Sequence, residues 1–202
     1  MQKQAEDFTL QATELAGMLE FLRQTEPLKQ TLRSAHTSNG RQESTAEHTW
    51  RLCLMVMLFA DQYPAIDQLK LLKLCILHDL GEAISGDIPA VDQVAGVDKS
   101  IQERQDFQQL LTPLPESMQG ELLALWDEYD QASTPEARLA KAFDKLETLL
   151  QHTQGQNPPD FDYVFNLSYG EKYTGLDELT RALRELIDQD TRRLAADNFA
   201  GT

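Results

Sequence analysis

Apolar residues recur at helical spacing along most of this chain. Between Phe8 and Leu22, the positions Leu15, Met18, Leu19 and Leu22 fall at i, i+3, i+4 and i+7, as one face of an amphipathic helix requires. Pro27 opens a short segment ending at Arg33, and Ser34 to Arg41 reads as a polar loop with an Asn39-Gly40 turn. Ser44-Thr45-Ala46-Glu47 has the spacing of a capping box and so predicts a helix start. The body of that helix, Trp50 to Ala60, is apolar on nearly every side, the pattern of a central buried helix. Pro64 separates it from a second apolar run, Leu71 to Ile84. Ser85-Gly86-Asp87-Ile88-Pro89 ends that run, with Gly86 suited to a left-handed terminating position and Pro89 preventing resumption.

Beyond this point the pattern predicts a mostly polar helix over residues 98–111, touching a core through Ile101, Phe107, Leu110 and Leu111. Leu122, Leu123, Leu125, Trp126 and Tyr129 anchor the next. Thr134-Pro135-Glu136 supplies an N-cap, a first-turn proline and an early acid, and opens a helix with the stripe Leu139, Phe143, Leu146 and Leu150. Residues 154–173 read as irregular chain covering one end of the core, and Leu179, Leu183, Leu186 and Ile187 mark a final helix. No internal repeat and no convincing set of strands emerges. The expectation is an all-α, single-domain protein of about seven or eight helices over residues 1–202.

Composition narrows the function classes. At 202 residues and 41% apolar content the chain suits one well-buried core. It holds no uninterrupted apolar stretch of about eighteen residues, and Met1 to Asp7 lacks the apolar centre of a signal peptide, so a cytoplasmic protein without a membrane span is expected. Cys53 and Cys75 stand in apolar runs, as reduced core thiols do. A net charge of −15 disfavours nucleic acid polymers as partners. It does not disfavour a small phosphorylated substrate, because a cation and a few local basic residues dominate within a Debye length.

Candidate chemistry gathers at the far end of the second apolar run, where His78, Asp79 and Glu82 are packed among apolar neighbours. Burying an imidazole and two carboxylates together is costly unless something compensates, and a divalent cation suits this mixture of donors. On one continuous helix, His78 and Glu82 share a face one turn apart, with Asp79 rotated by about 100°. His78 and Asp79 can then reach one cation while Glu82 contacts water; taken alone, a His-Asp pair more often marks a simple buried hydrogen bond. Further donors are therefore needed. His48, at the entrance of the first apolar helix, and Asp144, interrupting the buried stripe beside Phe143, are the candidates. Lys145 and Glu147 read as solvated, Arg33 and Arg41 flank the polar loop, and Asp87 lies just past the site run.

In order along the chain, the residues Leu28-Lys29 through Arg33, Arg41-x-Glu43-x-x-Ala46-Glu47-His48-x-Trp50, His78-Asp79-x-x-Glu82-x-x-x-Gly86-Asp87, Leu125-Trp126-x-Glu128-Tyr129 and Ala142-x-Asp144-Lys145 make a connected pattern. It resembles the HD-domain phosphohydrolases, in the branch related to 5′-deoxynucleotidases, over roughly residues 20–155. The resemblance implies the HD helical core, a C-terminal helical extension over roughly 156–202, and a homodimer. It implies that His48, His78, Asp79 and Asp144 hold one divalent transition metal (manganese, cobalt, iron, nickel or zinc) and that Glu82 orients the attacking water. It also implies that Arg33 binds the substrate phosphate and that Asp87 lies near the leaving group or sugar. The activity implied is release of phosphate from (deoxy)nucleoside 5′-monophosphates. A cyclic nucleotide, a nucleoside triphosphate or another small phosphoester as substrate stays open, as does a catalytically silent metal- and nucleotide-binding protein. The related enzymes carry a tryptophan near the arginine where this chain has Ser34-Ala35-His36, so nucleoside selectivity is open as well. His36 either stacks on a base or faces solvent.

Overall fold

The twenty-residue helix α7 (Pro135–Gln154) is the element on which the others are laid. Thr134 caps it as the sequence predicts, its Oγ1 accepting from the Ala137 amide at 3.2 Å. In this computed structural model, which describes residues 10–87 and 99–200, α7 packs against α2 (Thr45–Phe59), α3 (Gln68–Leu77), α6 (Glu116–Gln131) and α10 (Glu178–Ala200). Leu139, Phe143, Leu146 and Leu149 bury into a core shared with Leu52 and Val56 of α2 and Leu71 and Leu74 of α3. A second core, around Phe107, Leu110, Leu111 and Trp126, joins α5 (Lys99–Leu110) to α6 and to α1 (Ala12–Gln24). Among the described residues seven helices reach ten residues or more, while α4 (Glu82–Ser85), α8 (Tyr163–Asn166) and α9 (Glu171–Thr174) are single turns. None of the helices among those residues is long and apolar enough to cross a membrane.

Several local expectations need correction. Met18 and Phe21 carry the packing of α1, whereas Leu19 and Leu22 are exposed. Helix α2 has its capping box, with the Glu47 amide donating to Ser44 Oγ and the Ser44 amide donating to Glu47 Oε2. It is not buried all round, however. Thr45, His48, Leu52 and Val56 face inward, and Trp50 (67% exposed), Leu54, Met57 and Leu58 form an outward apolar strip. Part of the expected loop 34–41 is strand: β1 (Leu32–His36) pairs antiparallel with β2 (Gln42–Ser44), with Leu32 opposite Ser44 and His36 opposite Gln42. Only Ala35 of β1 is fully buried, so period-two alternation gave no strand signal there. The turn itself closes through the Thr37 amide donating to the Arg41 carbonyl at 2.7 Å.

The site run is also broken rather than continuous. Helix α3 stops at Leu77, and the chain passes through three-residue turns before α4, with the Leu80 amide donating to the Leu77 carbonyl and the Glu82 amide to the Asp79 carbonyl. Gly81 lies against α5 so closely that a Cβ there would sit 2.8 Å from the Glu103 carbonyl oxygen. Gly86 does take a positive φ of 82°, but its ψ of 172° is extended rather than left-handed helical, a combination open mainly to glycine. Ile88 and Pro89 lie outside the described residues.

The expected irregular segment 154–173 contains α8 and is tied down by one buried cation. Arg184 of α10 donates to the carbonyls of Tyr169, Asn166 and Leu167, each at 2.8 Å, and to Asp188 Oδ1 at 2.7 Å. This segment thereby becomes a fixed wall rather than a loose cover.

Candidate metal centre

Four side chains from three elements converge where α2, the end of α3 and α7 meet. His48 lies in the first turn of α2, His78 and Asp79 follow α3 at its break, and Asp144 is in the middle of α7. His48 Nε2 lies 3.2 Å from Asp144 Oδ1 and 4.0 Å from Asp79 Oδ2; His78 Nε2 lies 2.9 Å from Asp79 Oδ2 and 3.9 Å from Asp144 Oδ1. The break after Leu77 is what lets two consecutive residues, His78 and Asp79, turn toward one point.

The opposite edge of each imidazole is already engaged. His48 Nδ1 meets Glu147 Oε2 in a short contact, and His78 Nδ1 donates to the Cys75 carbonyl at 2.8 Å. That leaves both Nε2 atoms buried and without a hydrogen-bond partner. Orphaned ring nitrogens facing two carboxylates fit a divalent cation, because neutral imidazole nitrogen and carboxylate oxygen are the donors such an ion takes, and an engaged Nδ1 fixes each ring's orientation. Tyr129 Oη and Lys145 Nζ donate to Asp144 Oδ2 at 2.9 and 2.8 Å, and Trp126 Nε1 donates to the His78 carbonyl at 3.2 Å, so the donors are held from behind as well.

Electrostatics tell the same story. Burial and Arg33 oppose protonation of His48, yet Glu147 and Asp144 outweigh them and raise its pKa to about 9, a sign of local excess negative charge. Asp79 is depressed although burial opposes it, because His78 and Arg33 stabilise its charge; Asp144 is depressed against burial by Lys145 and the two histidines.

The cluster opens on a cavity of about 870 Å³ lined by Arg33, His78, Asp79, Asp87 and Asp144, among others. Arg33, from β1, places Nη1 3.5 Å from Asp79 Oδ2 and donates from Nη2 to Thr148 Oγ1 at 3.2 Å, while its Nε has no hydrogen-bond partner. Glu82 stands apart from the donor cluster: it is 4% exposed, accepts from Thr45 Oγ1 at 2.9 Å, and has Lys99 Nζ 3.8 Å away. Burial first, then the charges of Asp79 and Asp87, raise its pKa to about 9. Ser34 lines the cavity and His36 is not among its lining residues; Arg41 lies outside the cavity, paired with Glu47 at 2.8 Å.

Sequence reasoning missed Glu147, read as solvated. It is fully buried and supports His48 while accepting from Arg51 Nε at 2.5 Å. Its position four residues after Phe143 placed it on the buried face, a signal that was available. Lys145, also read as solvated, is tied to Asp144. Thr45 had no comparable mark, since its importance comes from Glu82, distant in sequence, while Tyr129 and Glu43 stood in the quoted pattern without a role assigned to them.

A helical fold thus carries two unpaired buried imidazole nitrogens and two carboxylates beside a cavity arginine, a cluster that could hold a metal ion. The family described as HD domain matches residues 25–184, and the chain belongs to it, among the HD domain phosphohydrolases related to the 5′-deoxynucleotidases. It is similar to 5′-deoxynucleotidase HDDC2 of Danio rerio, at 28% identity over 185 residues, 89% of this chain and 91% of that protein. It is also similar to 5′-deoxynucleotidase hdd1 of Schizosaccharomyces pombe, at 34% over 148 residues, 70% of this chain and 74% of the relative. Among solved structures, the predicted metal-dependent phosphohydrolase from Magnetospirillum magnetotacticum MS-1 superposes with a TM-score of 0.74 at 29% identity, covering 90% of this chain and 94% of that one.

Proposed function

We propose that the protein is a metal-dependent 5′-nucleotidase that hydrolyses (deoxy)nucleoside 5′-monophosphates, with His48, His78, Asp79 and Asp144 as the metal ligands. The observation that carries this reading is the pair of orphaned Nε2 atoms facing two carboxylates at the edge of a cavity that also holds Arg33. The similarity to relatives named as 5′-deoxynucleotidases supports the substrate class. When bound, a divalent cation there would ease deprotonation of water, neutralise charge on the phosphoryl oxygens and favour the ionised form of Glu82.

The chain's own residues divide the remaining work. Arg33 binds phosphoryl oxygens through a planar fork of donors, held in orientation by Thr148 and Asp79. Glu82 in its ionised form accepts the proton of the attacking water, and the Thr45 hydroxyl fixes one of its oxygens so that the other is directed. Asp87, half-buried in the cavity wall, lies near the leaving group or sugar.

Replacing Glu82 by Ala separates these roles. The variant is expected to keep its bound metal, measured by elemental analysis, and to lose on the order of a hundredfold or more in turnover. Loss of the metal would make Glu82 a ligand, and retained turnover would remove it from the mechanism.

A further inference from the structure

Of the lysines and arginines that line the cavity, Arg33 is paired with Asp79 and Glu43, Lys99 with Glu103, and Lys145 with Asp144. Lys141 has no such partner. Among the described residues no carboxylate meets its Nζ, which lies 4.1 Å from the centre of the Tyr129 ring and 5.7 Å from that of Tyr173. The carboxylates whose charge reaches it are engaged elsewhere: Asp144 by Tyr129 and Lys145, Asp130 by Ser100 Oγ at 2.8 Å, and Asp79 by Arg33. Burial lowers its pKa, because the ammonium has lost water without gaining a counter-charge. Lys145, a like charge one turn along the same face of α7, adds to that cost. An aromatic face offsets part of it, and an anion in the cavity would offset the rest.

Tyr129 fixes where that anion would sit. Its hydroxyl donates to Asp144 Oδ2 at 2.9 Å, and its ring centre lies 5.0 Å from that of His78. The Lys141 ammonium, on the face of this ring, therefore stands one phenol ring away from the proposed metal donors. Along α7, Asp144 lies between Lys141 and Thr148, the residue bonded to Arg33. The levels of Lys141 and Thr148 are about 10 Å apart on the helix axis, with the donors between them. A tetrahedral anion at the donors can meet Arg33 on one side and Lys141 on the other, each through a charge-assisted hydrogen bond. Lysine suits the second position, since its ammonium is a compact charge on a long flexible stem that leans to wherever the oxygen stands.

We propose that Lys141 is a second phosphate contact, taking a phosphoryl oxygen on the side of Asp144 away from Arg33. The inference rests on the nucleotidase reading and adds a residue to its phosphate site. It also gives Tyr129 two duties, orienting Asp144 through its hydroxyl and holding the ammonium over its ring. The phosphoryl group of the substrate and the phosphate released from it make the same contact. Lys141 therefore bears on product affinity as well as on KM.

The test compares wild type with Lys141→Met, which keeps a stem for Tyr129 and removes the charge, with Lys141→Arg, which keeps the charge, and with Arg33→Met as a reference. Binding of inorganic phosphate to each protein loaded with manganese is followed by calorimetric titration, metal content by elemental analysis, and kcat and KM with deoxynucleoside 5′-monophosphates. Lys141→Met is expected to keep its metal and to bind phosphate about tenfold or more weakly, with KM raised, and Lys141→Arg to recover most of the loss. Unchanged phosphate binding in Lys141→Met beside a clear loss in Arg33→Met overturns the inference and leaves the nucleotidase reading standing. Unchanged binding in both removes phosphate from this cavity and overturns the two together. Loss of the metal in Lys141→Met overturns the inference as well, since the lysine would then serve the metal donors instead. Phosphate binding that Lys141→Met weakens and Lys141→Arg restores upholds it even if no nucleotide is hydrolysed, a result that would count against the nucleotidase reading alone.

Discussion

His48 is held by a carboxylate that makes no direct approach to the proposed metal. Glu147 fixes the ring through Nδ1 and is itself held by Arg51, so the ring's orientation is set before any ligand arrives. Substituting Glu147 by Gln keeps the volume and removes the charge; metal affinity measured by competitive chelation is expected to fall by about 10–100-fold, with the fold intact by circular dichroism. Unchanged affinity would show that His48 needs no such support. The four proposed ligands were legible because their order and spacing along the chain are specific as a set, although no one of them is. Glu147 was read as surface because a charged residue on a helix is usually solvated, and only its phase relative to Phe143 argued otherwise. Lys145 was misread for the same reason, its partner being the neighbouring Asp144.

Among the elements, the break between α3 and α4 has the largest consequence. A continuous helix would hold Asp79 about 100° away from His78; the three-residue turns bring them together. Gly81 lets α5 close over that break, and Gly81→Ala is expected to destabilise the protein by on the order of 1–3 kcal/mol in chemical denaturation through the clash with the Glu103 carbonyl. A neutral substitution would mean that α5 can move away freely. Helix existence and capping were readable from periodicity and from Ser44, Glu47 and Thr134, because those signals are local. The hairpin was not, since β1 is stabilised by pairing with β2 and by packing on α7 rather than by its own alternation. The outward strip of α2 likewise escaped a reading that took every apolar residue as buried.

At the scale of the whole molecule, the proposed anionic substrate would have to approach a chain of net charge −15. The positive charge that would offset this is local: Arg33, Lys99, Lys141 and Lys145 all line the cavity beside the proposed metal ligands. Lys141 shows how closed that space is, with its ammonium 4.1 Å from the Tyr129 ring centre and its pKa lowered by burial. The wall opposite the cluster, residues 158–169, could not be read from periodicity because its order comes from Arg184, far along the chain. The most direct test is phosphate release from deoxynucleoside and ribonucleoside 5′-monophosphates, a cyclic nucleotide and a triphosphate by metal-stripped protein, with each divalent ion restored in turn. Release from the monophosphates that appears only on restoring a transition metal is the predicted result; equal release with and without metal, or none from any monophosphate under any ion, would contradict it.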